Sequence, residues 1–251
     1  MRSVLAGGPA FLSGPGWNVL ADVQNMLAFT FMRSAFIAGT ASAVVAGLVG
    51  YFVVLRGSSF AAHAISHIGF AGAAGAVMLG LNPVLGVGVL GLAASAGMGA
   101  LGKRLRGRDV AIGLVMAASL GLGYLFISLY TGNATDAYAV LFGQIFGITT
   151  GAVRITILTS VVVLALLAAG YRPLLFASLD EEVAEARGIR VGAIALGFMM
   201  LLALAVTEAV QVSGVLLIFA LLVASGVVAE RVARRFVVVL AFSVCLAVLI
   251  T

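Results

Sequence analysis

From Ser34 to Leu55 this chain runs without a single Asp, Glu, Lys or Arg. At ~1.5 Å per residue, a helix of that length covers the ~30 Å hydrocarbon core of a bilayer. Apolar runs follow at Phe60–Leu81, Val84–Leu101, Val110–Tyr130, Val153–Tyr171, Val191–Val210, Gly214–Val228 and Phe236–Thr251, interrupted by charge only at Arg154 and Glu208. Backbone amides in lipid must find partners inside their own segment, so continuous apolar runs of this length read as helices. Composition agrees: 63% of residues are hydrophobic and 9% charged, against about 25% charged in soluble domains. The expected fold class is all-α, a polytopic membrane protein with about 8 transmembrane helices. Thirty-two glycines fit that class, because small residues let helices approach closely in lipid. Gly69, Gly72, Ala73 and Ala76 should form such a face on the second span.

The connections carry their own signals. Trp17–Phe31 mixes apolar residues with Asn18, Asp22, Gln24 and Asn25, which predicts a helix at the membrane surface anchored by Trp17. Ser58 or Ser59 can cap the second span, and Asn82-Pro83 marks a turn with proline at the first position of the third. The stretch 131–150 is more polar. Its apolar patch Leu141–Ile148 is too short to cross and should fold back at the surface. With the loops at 56, 102–109, 172–190 and 230–235 on one side, that side holds eleven of the fourteen basic residues. Only Arg2, Arg33 and Arg154 fall on the other. The excess marks the first side as cytoplasmic and puts the N-terminus outside. The basic balance therefore speaks of membrane topology, and no nucleic-acid partner is expected.

Both histidines, His63 and His67, lie in the second span, four residues apart. On a helix they share a face one turn apart and can direct two imidazole nitrogens at one metal ion. Ionisable residues inside a span are costly and mark pathways or partners. The bland alternative is a pair of neutral rings bonded to neighbouring helices. Glu208 stands near the outer end of the sixth span, on one face with Gln211. It reads equally as a group meeting an incoming cation or as an interfacial carboxylate near water. The lone Cys245 lies in an apolar run, which excludes an internal disulfide and predicts a small buried hydrophobe.

Two further stretches bear on chemistry. Gly97-Met-Gly-Ala-Leu-Gly-Lys-Arg nearly matches a nucleotide P-loop, but Arg104 stands where a hydroxyl must bind Mg²⁺. It also ends an apolar helix instead of joining strand to helix, so Lys103 reads as a positive-inside anchor. Between Arg172 and Arg190, Ser178 is placed to cap a short helix, with Glu181 completing a capping box. Asp180, Glu181 and Glu182 favour the helix N-terminus, and Gly188 suits the C-terminus. So well-made a loop helix reads either as a solvated cytoplasmic connection or, being more structured than a connection needs, as a docking helix for a cytoplasmic partner.

Three segments carry a resemblance. Leu55-Arg-Gly-Ser-Ser-Phe with His63-Ala-Ile-Ser-His67 resembles the LRR-x-SF-x-GDALSHA stretch of zinc/manganese ABC importer permeases. Leu174–Ile189 resembles that family's S-x-D-P-E-x-A-x-A-x-G-I segment, and Val212–Leu222 its V-G-x-L-L-x-x-A-L-L segment. The likeness runs from about Met32 to Phe236 with similar spacing. It divides the chain into an N-terminal extension, 1–31, and a transmembrane permease domain, 32–251, of the type II ABC-importer kind.

The resemblance implies a non-enzymatic membrane subunit of the bacterial plasma membrane, acting as a homodimer. Separate cytoplasmic ATP-binding subunits would drive it, and an extracytoplasmic binding protein would deliver a divalent metal ion as cargo. No permanently bound cofactor is implied. The helix near 178–188 would be the coupling helix, with Ser178, Asp180, Glu181, Glu182, Ala184, Arg187 and Gly188 at or near the ATPase. The family's aspartate–histidine pair of the metal pathway maps onto His63 and His67, so histidine replaces aspartate at the first position. Imidazole suits zinc better than manganese, which favours zinc, with manganese or iron as the alternative. The seventh span lacks the family's following proline, and the eighth stops short of a full crossing, the mark of a truncated or divergent end. Two other classes compete. A secondary transporter would show inverted repeats, and none is evident. An intramembrane metalloprotease would need an acid between its histidines, as in H-E-x-x-H, and His63-Ala-Ile-Ser-His67 has none.

Overall fold

The computed structural model describes residues 28–101, 108–130, 143, 149–232 and 236–250. Within them all regular structure is α-helical: α1 Thr30–Leu55, α2 Ser59–Met78, α3 Pro83–Leu101, α4 Arg108–Leu129, α5 Thr150–Leu179, α6 Glu181–Ala186, α7 Val191–Val232 and α8 Phe236–Ile250. Five segments are long and apolar enough to cross a membrane: Thr30–Leu55, Ser59–Met78, Ile112–Leu129, Thr150–Leu179 and Val191–Val215. Pro83–Gly99 is a shorter apolar helix. Residues 17–27 of the expected surface helix, the basic loop at 102–107 and nearly all of 131–148 lie outside the described residues, while Thr30 and Phe31 already belong to α1.

Local chemistry sets most boundaries where the sequence points. Asn82 Oδ1 accepts from the Val84 amide at 2.9 Å, and Pro83 opens α3. At the start of α5, Thr149 Oγ1 accepts from Ala152 N at 3.2 Å. The α2 start differs from expectation. Ser58 occupies the cap position but makes no side-chain capping bond, and its hydroxyl donates back to the Arg56 carbonyl at 3.3 Å. Gly57, at φ 59°, lets the chain turn there within three residues.

Three spans extend differently from their sequence pattern. The fifth continues past Tyr171, through Arg172 and Pro173, to Leu179. Proline forfeits one backbone bond, yet Leu174 and Ala177 beyond it are buried, and their packing keeps the turn helical. The sixth and seventh spans run together as α7, interrupted at Gly214 with φ 77° and ψ 164°, a conformation open essentially to glycine alone. The chain reverses there. In the first half, Phe198 lies under Arg56 while Glu208 reaches Ser42, so the chain moves along α1 away from residue 56. In the second half, Leu222 meets Gly50 and Gly226 meets Val54, so it returns. Gly143 presses on the break: a Cβ there would lie 2.7 Å from Ser213 C.

The core sits among α1, α2 and α7. In α2, 78% of the membrane-length window is buried, against 11% in α4, whose Leu114, Leu122 and Leu125 face outward. Glycine sets the crossings. A Cβ on Gly72 would lie 2.2 Å from the Gly86 carbonyl oxygen, and one on Gly86 2.0 Å from that of Gly72. A Cβ on Gly50 would lie 2.1 Å from Leu222 O, and one on Gly47 2.8 Å from Val244 Cα. The small-residue face expected on the second span is thus where α2 meets α3. Cys245 departs from expectation: it is exposed on α8, because the buried side of that helix is taken by Ser243 and Ala247.

Gly72→Leu should separate α2 from α3 and cost about 3 kcal/mol or more, the upper range for overpacking a fixed contact. Gly97→Leu, where nothing lies within 4 Å of the added carbon, should leave stability unchanged. Thermal unfolding in detergent measures both, and equal midpoints for the two variants would refute the crossing.

Candidate functional site

The turn Arg56–Ser58 delivers the chain into α2 with His63 and His67 on successive turns. Their rings meet edge to face, centroids 4.5 Å apart at 83°. The His63 ring also packs 4.4 Å from Phe219, in the returning half of α7. Both Nδ1 atoms are buried, and neither has a hydrogen-bond partner among the described residues. This is an unusual state for imidazole, because buried ring nitrogens normally find partners. The bland expectation, rings bonded to neighbouring helices, therefore fails at Nδ1. Each neutral ring offers one lone pair, so the pair supplies two of the four ligands that a tetrahedral transition-metal site takes. Among the described residues no group of three or more His, Cys, Asp or Glu side chains converges.

Glu208 is not joined to that pair. It is fully buried, which corrects its reading as an interfacial carboxylate near water. Ser42 of α1 donates to its Oε1 at 3.1 Å, and Ser160 of α5 donates to the same oxygen at 2.6 Å. Oε2 has no partner among the described residues. The carboxyl group therefore ties α1, α5 and α7 together six residues before the chain reversal at Gly214. Sequence reasoning singled out Glu208 but missed both serines, which lie 166 and 48 residues away from it. Serines on apolar helices commonly bond their own backbone, so nothing local marks these two.

The residues expected around the loop helix divide into two sets. Asp180, not Ser178, caps α6: its Oδ1 accepts from Val183 N at 2.9 Å. Ser178 falls in the last turn of α5, which runs on past the expected boundary. Its hydroxyl donates to Leu174 O at 2.5 Å and accepts from Arg56 Nη1 at 3.1 Å. Gly188, at φ 80°, closes the far end as expected, with Ile189 N bonded to Ala184 O at 3.0 Å. Ala184, expected toward a partner, is fully buried against Ala177 and Val191 and seats α6 on its own chain. What faces outward is Glu181, Glu182 and Val183, continued by Leu179. Arg187 is exposed and lies over the Phe176 ring at 5.1 Å.

A bundle of membrane-length helices, closed around buried polar groups and carrying one short helix outside it, defines a polytopic membrane permease. The model of the ABC 3 transport family matches residues 28–251, so the chain belongs to that family. It is 31% identical over 214 residues to the manganese transport system membrane protein MntC of Listeria monocytogenes, covering 85% of this chain and 76% of that one. It is 27% identical over 217 residues to the chelated iron transport system membrane protein YfeD of Yersinia pestis, covering 85% and 72%. Among solved structures, PsaBC from Streptococcus pneumoniae in complex with Fab superposes with a TM-score of 0.80 at 30% identity, over 92% of this chain and 83% of that one.

Glu208→Leu should leave two serine hydroxyls without their acceptor and cost about 1–2 kcal/mol, the scale of hydrogen bonds between membrane helices. Glu208→Gln, which keeps an oxygen in place, should cost less than half as much. Thermal unfolding in detergent reads both, and indistinguishable Leu and Gln variants would show that the cluster contributes no stability.

Proposed function

We propose that this chain is the membrane permease subunit of an ATP-driven importer of a divalent transition-metal ion, with zinc preferred. The observation that carries the reading is the half-buried His63–His67 pair, two imidazoles one turn apart whose buried Nδ1 atoms have no partner among the described residues. Two such pairs, brought together across a two-fold axis by two copies of the chain, would make a four-nitrogen site. A borderline ion such as zinc favours that donor set, while manganese favours oxygen. Such a site must hold its ion weakly, because passage requires leaving as well as entry. Manganese is the competing cargo, favoured by the names of relatives such as MntC.

The basic excess supports a topology with the α6 end of the bundle in the cytoplasm and the start of the chain outside, and the family match favours a bacterial plasma membrane. Separate ATPase subunits would receive α6, and an extracytoplasmic binding protein would supply the ion on the opposite face. The outward side of α6 presents acid beside apolar surface, Glu181 and Glu182 with Val183 and Leu179. That pattern suits a partner groove with a basic rim. Hydrolysis of ATP would then belong to the partner, and this chain would only move.

The test is radiotracer uptake of zinc and manganese into vesicles holding the chain with its own ATPase and binding protein. His67→Ala should abolish uptake, and His63→Asp should shift preference toward manganese. Acidification should slow uptake, because a protonated imidazole has no lone pair to give. Wild-type zinc uptake by the double alanine variant would sink the pathway role. Greater manganese than zinc uptake by the unaltered chain would decide for the competing cargo.

The docking face has a separate test. Glu181→Lys with Glu182→Lys should weaken co-purification of the ATPase while leaving the permease's thermal midpoint unchanged. Ala184→Leu should instead unseat α6 and lower that midpoint. Undiminished ATPase binding by the charge-reversed pair would refute docking through α6.

A further inference from the structure

We propose that Arg56 is a positioning residue: a strut that carries displacement of α6 to the histidine-bearing helix α2. The proposal rests on the importer reading above. It concerns how the two ends of that machine are joined within one chain.

The corner around α6 behaves as a unit. One residue, Asp180, separates α6 from α5, and Ala184 packs on Ala177 of α5 and Val191 of α7. Pressure on the outer face of α6 therefore moves the end of α5 and the start of α7 together. Arg56 grips both. Its Nη1 donates to Ser178 Oγ at 3.1 Å, two residues before Asp180. Ser178 is fixed in turn by its own bond to Leu174 O. On the other side, the Arg56 guanidinium carbon lies 5.5 Å from the centroid of the Phe198 ring, which is buried in α7.

The backbone of Arg56 belongs to the other end of the machine. It is the C-cap of α1, and α2 begins three residues later. That turn is tightly bonded. Gly57 N donates to Val54 O at 2.9 Å, Ser58 N to Val53 O at 2.8 Å, and Ala62 N to Ser58 O at 3.0 Å. A turn so braced transmits a push instead of absorbing it. His63 lies in the second turn of α2 and leans on Phe219, so a small shift of the α2 start changes how the two rings sit.

The residue type matters. A guanidinium can stack on an aromatic face and donate from its edge at once, in a fixed plane. An ammonium has charge but no fork, so lysine keeps the positive-inside role and loses the double grip. An arginine that served only as a surface anchor would tolerate lysine and would be indifferent to Ser178.

The experiment uses the complex of this chain with its own ATPase and binding protein in vesicles. Ion moved and ATP hydrolysed are measured together, with zinc and with manganese. Arg56→Lys and Ser178→Ala should each lower ion moved per ATP by at least about fivefold, the low end of coupling between distant sites. Hydrolysis should stay within about twofold of the unaltered complex. The double variant should be no worse than either single one, because both break the same contact. Ser178→Thr, which keeps the hydroxyl, should recover most of the ratio. An unchanged ratio in Ser178→Ala and Arg56→Lys overturns the strut, as do equal falls in transport and hydrolysis or additive losses in the double variant. Failure of the unaltered complex to import either ion overturns the importer reading itself, and the strut with it.

Discussion

Two helices in lipid gain little from hiding apolar surface from each other, because the lipid is apolar as well. What holds them is close contact, and in this chain close contact means backbone against backbone. Gly72 and Gly86 let α2 and α3 meet with no room for a single methyl group. Gly50 does the same for α1 against the returning half of α7, at Leu222 and Gly226. Everything polar inside the bundle depends on these contacts. They seat α2 so that its histidines are half-buried with their Nδ1 atoms inside, and they hold α1 near enough to α7 for Ser42 to reach Glu208.

The buried polar groups fall into two kinds. The Ser42–Glu208–Ser160 cluster links three helices, with both hydroxyls committed to one carboxyl oxygen. It reads as a structural tie near Gly214, where the backbone of α7 abandons helical geometry. The histidine pair is held by ring packing instead. Its rings lie against each other and against Phe219, and their Nδ1 atoms have no partner among the described residues, as is also true of Glu208 Oε2.

The chain belongs to the ABC 3 transport family, and the proposed reading asks it to receive motion from a partner. α6 is seated on its own chain by Ala184 and turns its acidic residues outward. The proposed strut, Arg56, joins the corner that α6 forms with α5 and α7 to the turn at the start of α2.

The one-dimensional pattern settled a good deal. Runs of apolar residues longer than the bilayer is thick leave no other fold class. Asn82-Pro83 fixed the start of α3, because amide capping and proline's locked φ are local effects. The four-residue spacing of His63 and His67 was enough to put both rings on one face. Local chemistry misled where packing outweighed it. Pro173 did not end α5, because Leu174 and Ala177 beyond it are buried. Ser178 lost the capping role to Asp180 for the same reason, and Ala184 turned inward where a partner-facing residue was expected. The environment of Glu208 and the grip of Arg56 on Ser178 and Phe198 were beyond any reading of sequence. Their partners lie tens to more than a hundred residues away, and only the glycine crossings bring them within reach. Sequence by itself determined that this chain would be a bundle of membrane helices with two imidazoles on one face. The tertiary structure alone decided which polar groups met, because contacts between distant segments depend on how closely backbones approach, and no local pattern records that distance.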